Sequence, residues 1–261
     1  MKREDFLDSY EDSTGDLAER AAEVARLLSA AARDFAPVVF ASSLGAEDMV
    51  LTDLIWRQDI GIEIFTIDTG RLPTETHDLI ARTERHYGRR IEICHPDAEQ
   101  LALFVRTYGI NGFYDSIEAR KACCQARKVE PLRRKLAGKK AWVTGLRAEQ
   151  SITRNSLRRI DYDFAFDLVK FNPLVDWSER EVWAYLHLHN VPYNALHDRH
   201  YPSIGCAPCT RAIQPGEDIR AGRWWWESPI TKECGLHLVE GRLMRKACTD
   251  ETLEIVTREA A

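Results

Sequence analysis

Val38-Val39-Phe40-Ala41-Ser42-Ser43-Leu44-Gly45-Ala46-Glu47-Asp48 runs from four apolar residues, through small ones, into an acidic helix start. The apolar run reads as a short buried strand and Ser42–Gly45 as a tight loop. Ala46 to Trp56 reads as the helix that follows. Small residues between a strand and a helix let backbone N–H groups approach an anion, and a helix N-terminus favours negative charge. The loop has no lysine of the P-loop type, so a Walker A reading fails. Taken alone it also reads as an ordinary tight connection.

The same alternation continues outward. Ile62 to Ile67 reads as a second strand, Glu75 to Tyr87 as a helix and Arg90 to Cys94 as a third strand. Helices follow over Asp97 to Thr107 and from about Ser116. Ala141–Thr144 and Leu168–Phe171 read as further strands. Asp176-Trp177-Ser178 opens a helix to about His189, with Ser178 as its N-cap. Upstream, Leu17, Ala21, Val24, Leu27 and Leu28 recur at helical spacing until Pro37 ends the pattern. Strands alternating with helices give an α/β class with a mainly parallel central sheet flanked by helices. Ligands of such sheets sit beyond the carboxyl ends of the strands. The loops Ser42–Asp48, Asp68–Leu72 and Gly145–Arg147 should therefore meet at one edge.

Four units are expected. Residues 1–16 form a flexible acidic N-terminus and 17–195 an α/β nucleotide-binding domain. Residues 196–237 form an irregular C-terminal cap rich in Gly, Pro, Trp and Cys, and 238–261 a polar tail. The chain has 261 residues, enough to bury about three quarters of its unfolded surface. Lys plus Arg number 36 against 41 Asp plus Glu, a net charge of −5. That balance excludes bulk electrostatic binding to nucleic acid. No apolar run approaches the roughly 20 residues of a membrane span. Met1-Lys2-Arg3-Glu4-Asp5 leads into acidic sequence rather than an apolar signal region, so a cytoplasmic location is expected.

The seven cysteines are unevenly placed: Cys94, Cys123-Cys124, Cys206-Ala207-Pro208-Cys209, Cys234 and Cys248. Without an export signal this is not a disulfide framework, and clustering points to metal or thiol chemistry. Four thiolates suit zinc or an iron–sulfur cluster. Adjacent cysteines on a helix project about 100° apart, awkward around one small tetrahedral ion. A cuboidal 4Fe–4S cluster, with corners farther apart, is favoured over zinc. Arg120, Lys121, Arg127 and Lys128 are available to offset its charge, and Lys128, four residues after Cys124, would share that cysteine's helix face. Cys94 reads as a small buried side chain.

Other cations and small residues cluster after strands. In Asp68-Thr69-Gly70-Arg71-Leu72, Gly70 permits an unusual backbone angle and Arg71 suits a phosphate or sulfate, although a capping turn with a solvated Arg is equally consistent. Gly145-Leu146-Arg147, with Arg154 behind it, offers two guanidinium groups to an anion or to solvent. Glu233-Cys234-Gly235-Leu236-His237 reads either as a nucleophile on a mobile segment, with Arg220 and Arg223 upstream, or as a casual surface cysteine.

Together these motifs resemble the assimilatory adenylyl-sulfate (APS) and phosphoadenylyl-sulfate (PAPS) reductases, in particular the cluster-bearing bacterial type. The resemblance runs from about Val38 to His237. It is carried by Ser42–Asp48, Ile67–Leu72, Lys121–Leu132, Thr144–Gln150, Lys170–Leu174, Tyr201–Arg211, Gly222–Trp226 and Lys232–His237. It implies an adenine-nucleotide α-hydrolase-like fold whose cap carries the nucleophile. It implies thioredoxin-dependent cleavage of adenylyl sulfate to sulfite and AMP, with Cys234 as nucleophile. It implies a 4Fe–4S cluster on Cys123, Cys124, Cys206 and Cys209. The implied substrate contacts are Lys128, Arg220 and Arg223 to the phosphosulfate, assisted by Arg147, Arg154 and His237. Ser42, Ser43, Gly45, Asp48, Asp68, Thr69, Gly70, Arg71 and Gly145 are implied to lie against the nucleotide. The vicinal-plus-CxxC pattern goes with adenylyl sulfate, leaving PAPS or dual use as the alternative. An ATP-using sulfur transferase fits less well, because the loop lacks the second Gly and final Ser of an SGGxDS loop. A zinc-dependent binding module is the remaining alternative. A homo-oligomer is compatible with the sequence, and no interface pattern is legible in it.

Overall fold

A computed structural model describes residues 14–150 and 157–227. Arg154, Cys234, His237 and Cys248 lie outside the described residues. The helices are α1 (Thr14–Asp34), α2 (Ala46–Arg57), α3 (Thr74–Tyr87), α4 (Ala98–Tyr108), α5 (Ile117–Cys124), α6 (Glu130–Leu136) and α7 (Glu179–Leu188). The strands are β1 (Val38–Ala41), β2 (Glu63–Ile67), β3 (Glu92–Cys94), β4 (Ala141–Val143), β5 (Ile160–Asp163) and β6 (Leu168–Phe171).

The sheet order is β3-β2-β1-β4-β6-β5, parallel throughout except for the antiparallel edge strand β5. The α/β class expected from the sequence is the one observed. Strand β1 lies between β2 and β4, pairing Val39 with Glu63 on one side and Trp142 on the other. Its residues alternate between two cores, as a strand's period of two requires. Val38 and Phe40 pack with Leu28, Leu51, Ile55 and Trp177 on the α1/α2/α7 side. Val39 packs with Phe65, Trp142 and the α6 residues Leu132 and Leu136 on the other. Fully buried side chains such as Phe40 each contribute about 2–3 kcal/mol by leaving water.

Local signals fix the helix ends. Ser178 is the N-cap of α7, as expected, and with Glu181 it forms a reciprocal capping box. Asp53 on α2, wholly buried, accepts from Tyr87 Oη at 2.7 Å, Tyr185 Oη at 2.7 Å and Arg57 Nη2 at 2.9 Å. This carboxylate joins α2 to α3 and α7. Burial, then the Asp53 charge, raises the pKa of both tyrosines. Among the described residues no helix is long and apolar enough to cross a membrane.

Two elements differ from the sequence reading. Ile160-Asp161-Tyr162-Asp163 forms β5, which the alternation of strong apolar runs did not pick out. All four residues are half-buried, as suits an edge strand. After Cys124 the α-helix gives way to a wider π turn over Gln125–Val129. Lys128 still faces the same small cavity as Cys124, as the sequence spacing implied, and π turns of this kind gather at functional sites.

Candidate active site

The carboxyl ends of β1, β2 and β4 open into a cavity of about 290 Å³. The Ser42–Asp48 loop and the Thr144–Arg147 loop line it, as expected. Its floor is apolar, with Ala41, Phe65, Ile67, Leu132 and Trp142. Lys128, Arg220 and Arg223 form a cationic end.

The first loop is tied down from within. Ser43 donates both its backbone N–H and its hydroxyl to Asp48 Oδ2, each at 2.6 Å. Leu44, buried, holds a left-handed φ of 62°, and its N–H donates to Ser42 Oγ at 3.2 Å. Burial pushes the Asp48 carboxyl up to about 6, against the Ser43 hydrogen bonds that favour its charge. The Ser43 amide, which the sequence reading offered to an anion, is turned to Asp48 instead. The amino end of α2, at Gly45 and Ala46, still faces the cavity. Gly145 closes against the same carboxylate: a methyl group there would overlap Asp48 Oδ1.

Arg147 lines the cavity, but its guanidinium is ion-paired to Glu47 at 2.8 Å and Glu149 at 2.9 Å. It also donates to the Trp177 carbonyl at 3.2 Å. It braces the β4 loop against α2 and α7. Within the Asp68–Leu72 loop, Thr69 and Leu72 reach the cavity, whereas Asp68, Gly70 and Arg71 do not form its wall. Asp68 instead accepts from Gly70 N at 2.8 Å and pairs with His77 at 3.1 Å. Gly70 takes the left-handed φ of 70° that its lack of a side chain allows. Arg71 points away from the nucleotide-sized space. It donates to Asn111 Oδ1 at 3.1 Å and the Ile110 carbonyl at 2.6 Å, and lies over the Phe113 ring. Asp68, Gly70 and Arg71 thus border the loop rather than the cavity itself, and Asp68 and Arg71 are held by contacts within the protein.

Behind the cationic end, a small cavity of about 20 Å³ is walled by all four clustered cysteines, each buried. Cys123 and Cys124 come from the end of α5, Cys206 and Cys209 from a short turn far along the chain. That turn is pinned from three sides. Ala207 N donates to the Arg71 carbonyl at 2.8 Å, Tyr114 Oη to the Pro208 carbonyl at 2.8 Å, and Trp224 N to the Cys209 carbonyl at 3.2 Å. The Thr69 hydroxyl lies 3.2 Å from Cys206 Sγ. Burial raises the Cys123 thiol and pushes Cys209 up to about 12, with the neighbouring thiols adding to the latter and Lys128 and Arg223 opposing it. Arg71, Arg120, Arg127 and Lys128 line the same space. Among the described residues no three His, Cys, Asp or Glu side chains stand in an arrangement that holds a single metal ion.

Lys128 and Trp224 belong to both cavities. The sequence reading missed Trp224. Its backbone is left-handed, φ 41°, and its ring lies 4.8 Å from the Arg120 guanidinium and 4.6 Å from that of Arg223. The run Trp224-Trp225-Trp226 was visible, but nothing in it singles out the buried member. Arg223 in turn crosses Gly205, where any Cβ would overlap its guanidinium.

Residues 37–212 match the profile of the phosphoadenosine phosphosulfate reductase domain. The chain belongs to the APS/PAPS reductase family. Among its relatives in that reductase family, the adenosine 5'-phosphosulfate reductase of Allochromatium vinosum is 62% identical over 225 residues, 86% of this chain and 88% of the relative. The enzyme of the same description from Burkholderia cepacia is 53% identical over 86% of this chain and 90% of its own length. A solved phosphoadenylyl-sulfate reductase from Candida auris, in complex with phosphate, superposes with a TM-score of 0.63 at 25% identity, over 77% of this chain and 98% of that one. The FMN adenylyltransferase of Candida glabrata shares the fold alone, with a TM-score of 0.53 at 16% identity over 93% of this chain and 82% of that one.

Proposed function

We propose that this chain is an adenylyl-sulfate reductase that yields sulfite and AMP, with a thioredoxin as the source of electrons. One observation carries the reading: the nucleotide-sized cavity and the four-thiol cavity share Lys128 and Trp224, with Arg220 and Arg223 at that same end. The names of the close relatives support it.

Adenylyl sulfate has an apolar base and an anionic phosphosulfate, matching the apolar floor and the cationic end. Cys234 is the nucleophile in this reading. Its thiolate attacks the sulfur, the sulfur–oxygen bond to AMP breaks, and Cys234 is left as an S-sulfocysteine. A thioredoxin thiolate then attacks the Cys234 sulfur. Sulfite leaves with the electron pair of the sulfur–sulfur bond, and a mixed disulfide forms. The second thioredoxin thiol resolves it, so the dithiol supplies both electrons. Two anions meet in the first step, and Lys128, Arg220 and Arg223 are the cations placed for it. They also hold the AMP phosphate as it departs.

The donor set fits a 4Fe–4S cluster on Cys123, Cys124, Cys206 and Cys209. It consists of four buried sulfurs with no carboxylate or imidazole, inside a ring of Arg71, Arg120, Arg127 and Lys128 that balances negative charge. Held by these four sulfurs, a cluster would supply charge near the cationic end, while the electrons in the scheme above come from the thioredoxin dithiol. Burial raises the Cys123 and Cys209 thiols, so binding a metal there would release protons.

The test is intact-protein mass spectrometry after anaerobic incubation of cluster-loaded protein with adenylyl sulfate and no thioredoxin. One sulfonate adduct, mapped to Cys234 and released by thioredoxin, is expected. Absence of an adduct from protein with an intact cluster overturns the reading.

A further inference from the structure

Away from Lys128, Arg220 and Arg223, the nucleotide cavity has a wall of different chemistry, formed by Glu179, Trp183, His197 and the Glu47–Arg147 ion pair. His197 opens the short turn His197–Arg199 and packs edge-on against Trp183, with ring centroids 5.1 Å apart. It also borders the adjoining cavity of about 390 Å³. Both of its ring nitrogens are buried, and among the described residues neither makes a hydrogen bond of good geometry, a loose contact with the Tyr201 backbone aside. Buried polar atoms are nearly always paired, and leaving one unpaired costs about 1–3 kcal/mol. Burial lowers the His197 pKa, outweighing Glu47 and the Tyr201 carbonyl, which raise it. A neutral imidazole presents one N–H donor and one bare nitrogen acceptor. Its natural complement is a hydroxyl group, which both accepts and donates.

The parts of the proposed substrate can be placed by elimination. The base matches the apolar floor, and the phosphosulfate matches Lys128, Arg220 and Arg223. The ribose, with two free hydroxyls, joins them and is left for the remaining wall. Carboxylates are common partners of ribose hydroxyls. Glu179, whose carboxylate has no ion pair among the described residues, would repel a phosphate attached to the ribose, whereas Glu47 is neutralised by Arg147.

We propose that His197 is a binding residue for the ribose hydroxyls of the nucleotide, and that with Glu179 it makes this edge selective for a ribose without a 3′-phosphate. This rests on the adenylyl-sulfate reading above and deepens it.

The test measures binding to the cluster-loaded protein of AMP, 2′-deoxy-AMP, 3′-deoxy-AMP and adenosine 3′,5′-bisphosphate, in the wild type, His197→Phe and His197→Gln. His197→Phe should weaken AMP binding about tenfold, a change of about 1.4 kcal/mol. One deoxynucleotide should bind the wild type about tenfold less well than AMP, while His197→Phe no longer tells the two apart. His197→Gln, whose amide can donate and accept, should recover part of the discrimination. The wild type should bind the bisphosphate at least tenfold less tightly than AMP, and Glu179→Gln should narrow that gap. Equal losses with the deoxynucleotides in wild type and His197→Phe overturn the contact. Equal affinity of the wild type for AMP and the bisphosphate overturns the selectivity. Either result with normal turnover of adenylyl sulfate leaves the reductase reading standing, whereas a wild type that neither binds AMP nor turns over the substrate overturns both.

Discussion

Arg120 donates from Nε and Nη2 to the two carboxylate oxygens of Glu227, at 2.6 and 3.0 Å, with both side chains buried. Arg120 sits on α5, one turn before the cysteine pair, and Glu227 closes the described part of the cap. The pair therefore clamps the end of the cap onto the helix that carries two of the four thiols. Replacing either partner with alanine leaves a buried charge, at a cost of about 3–5 kcal/mol. Chemical denaturation of Arg120→Ala and Glu227→Ala should show that loss. The double replacement Arg120→Met, Glu227→Leu should recover most of it, because neither charge is then stranded.

Gly145 and Asp48 define a second clamp, between the β4 and β1 loops. Gly145→Ala forces the Asp48 carboxylate aside and frees Ser43 from it. Overpacking of this kind costs about 1–3 kcal/mol. The denaturation midpoint should fall accordingly, and nucleotide affinity should fall with it. An unchanged affinity would show that the loop's geometry does not depend on the contact.

The raised Asp48 pKa makes a signed prediction about pH. Burial pushes the folded carboxyl up to about 6, above the ordinary aspartate range, so the folded state holds the proton longer than the unfolded chain. Stability contributed by this group is present at low pH and is lost as pH rises through 6. Between pH 5 and 7 the loss amounts to about 1 kcal/mol. Asp48→Asn cannot titrate, so its stability relative to wild type should rise by about that amount across this window. A flat difference between the two denaturation profiles would contradict the assignment.

Colour decides between the metal readings. Protein prepared without oxygen should be brown, hold about four irons per chain and bleach when the iron is chelated. Serine at Cys206 or Cys209 should abolish the visible absorbance. A zinc site would give a colourless protein with about one metal ion per chain.

The sheet was legible because β1, β2, β4 and β6 are short apolar runs, each bounded by a turn or a helix. β5 was not, since an edge strand buries only part of each residue and can carry Asp161 and Asp163. The loops at the strand ends were legible as a group, and the Ser42–Asp48 and Gly145–Arg147 loops do face one cavity. The aim of individual side chains was not. Arg71 is drawn off by Asn111, Ile110 and Phe113, some forty residues away, and Arg147 by Glu47. Local spacing carries no information about such partners. The π turn after Cys124 was not legible either, although the helical period still put Lys128 beside that cysteine.

The thiol cavity is assembled from two stretches that leave the ribosome at different times. Cys123 and Cys124 emerge first. At a synthesis rate of about 5–20 residues per second, Cys206 and Cys209 follow on the order of 4–16 seconds later. Through that interval the nascent chain displays a vicinal dithiol whose other two walls do not yet exist. Trp224, which lines the pocket, and Glu227, which pairs with Arg120 of its wall, are made later still. The pocket is thus a late product of synthesis, and the nascent chain passes through a stage at which its exposed sulfur pair is open to oxidation or to the wrong metal.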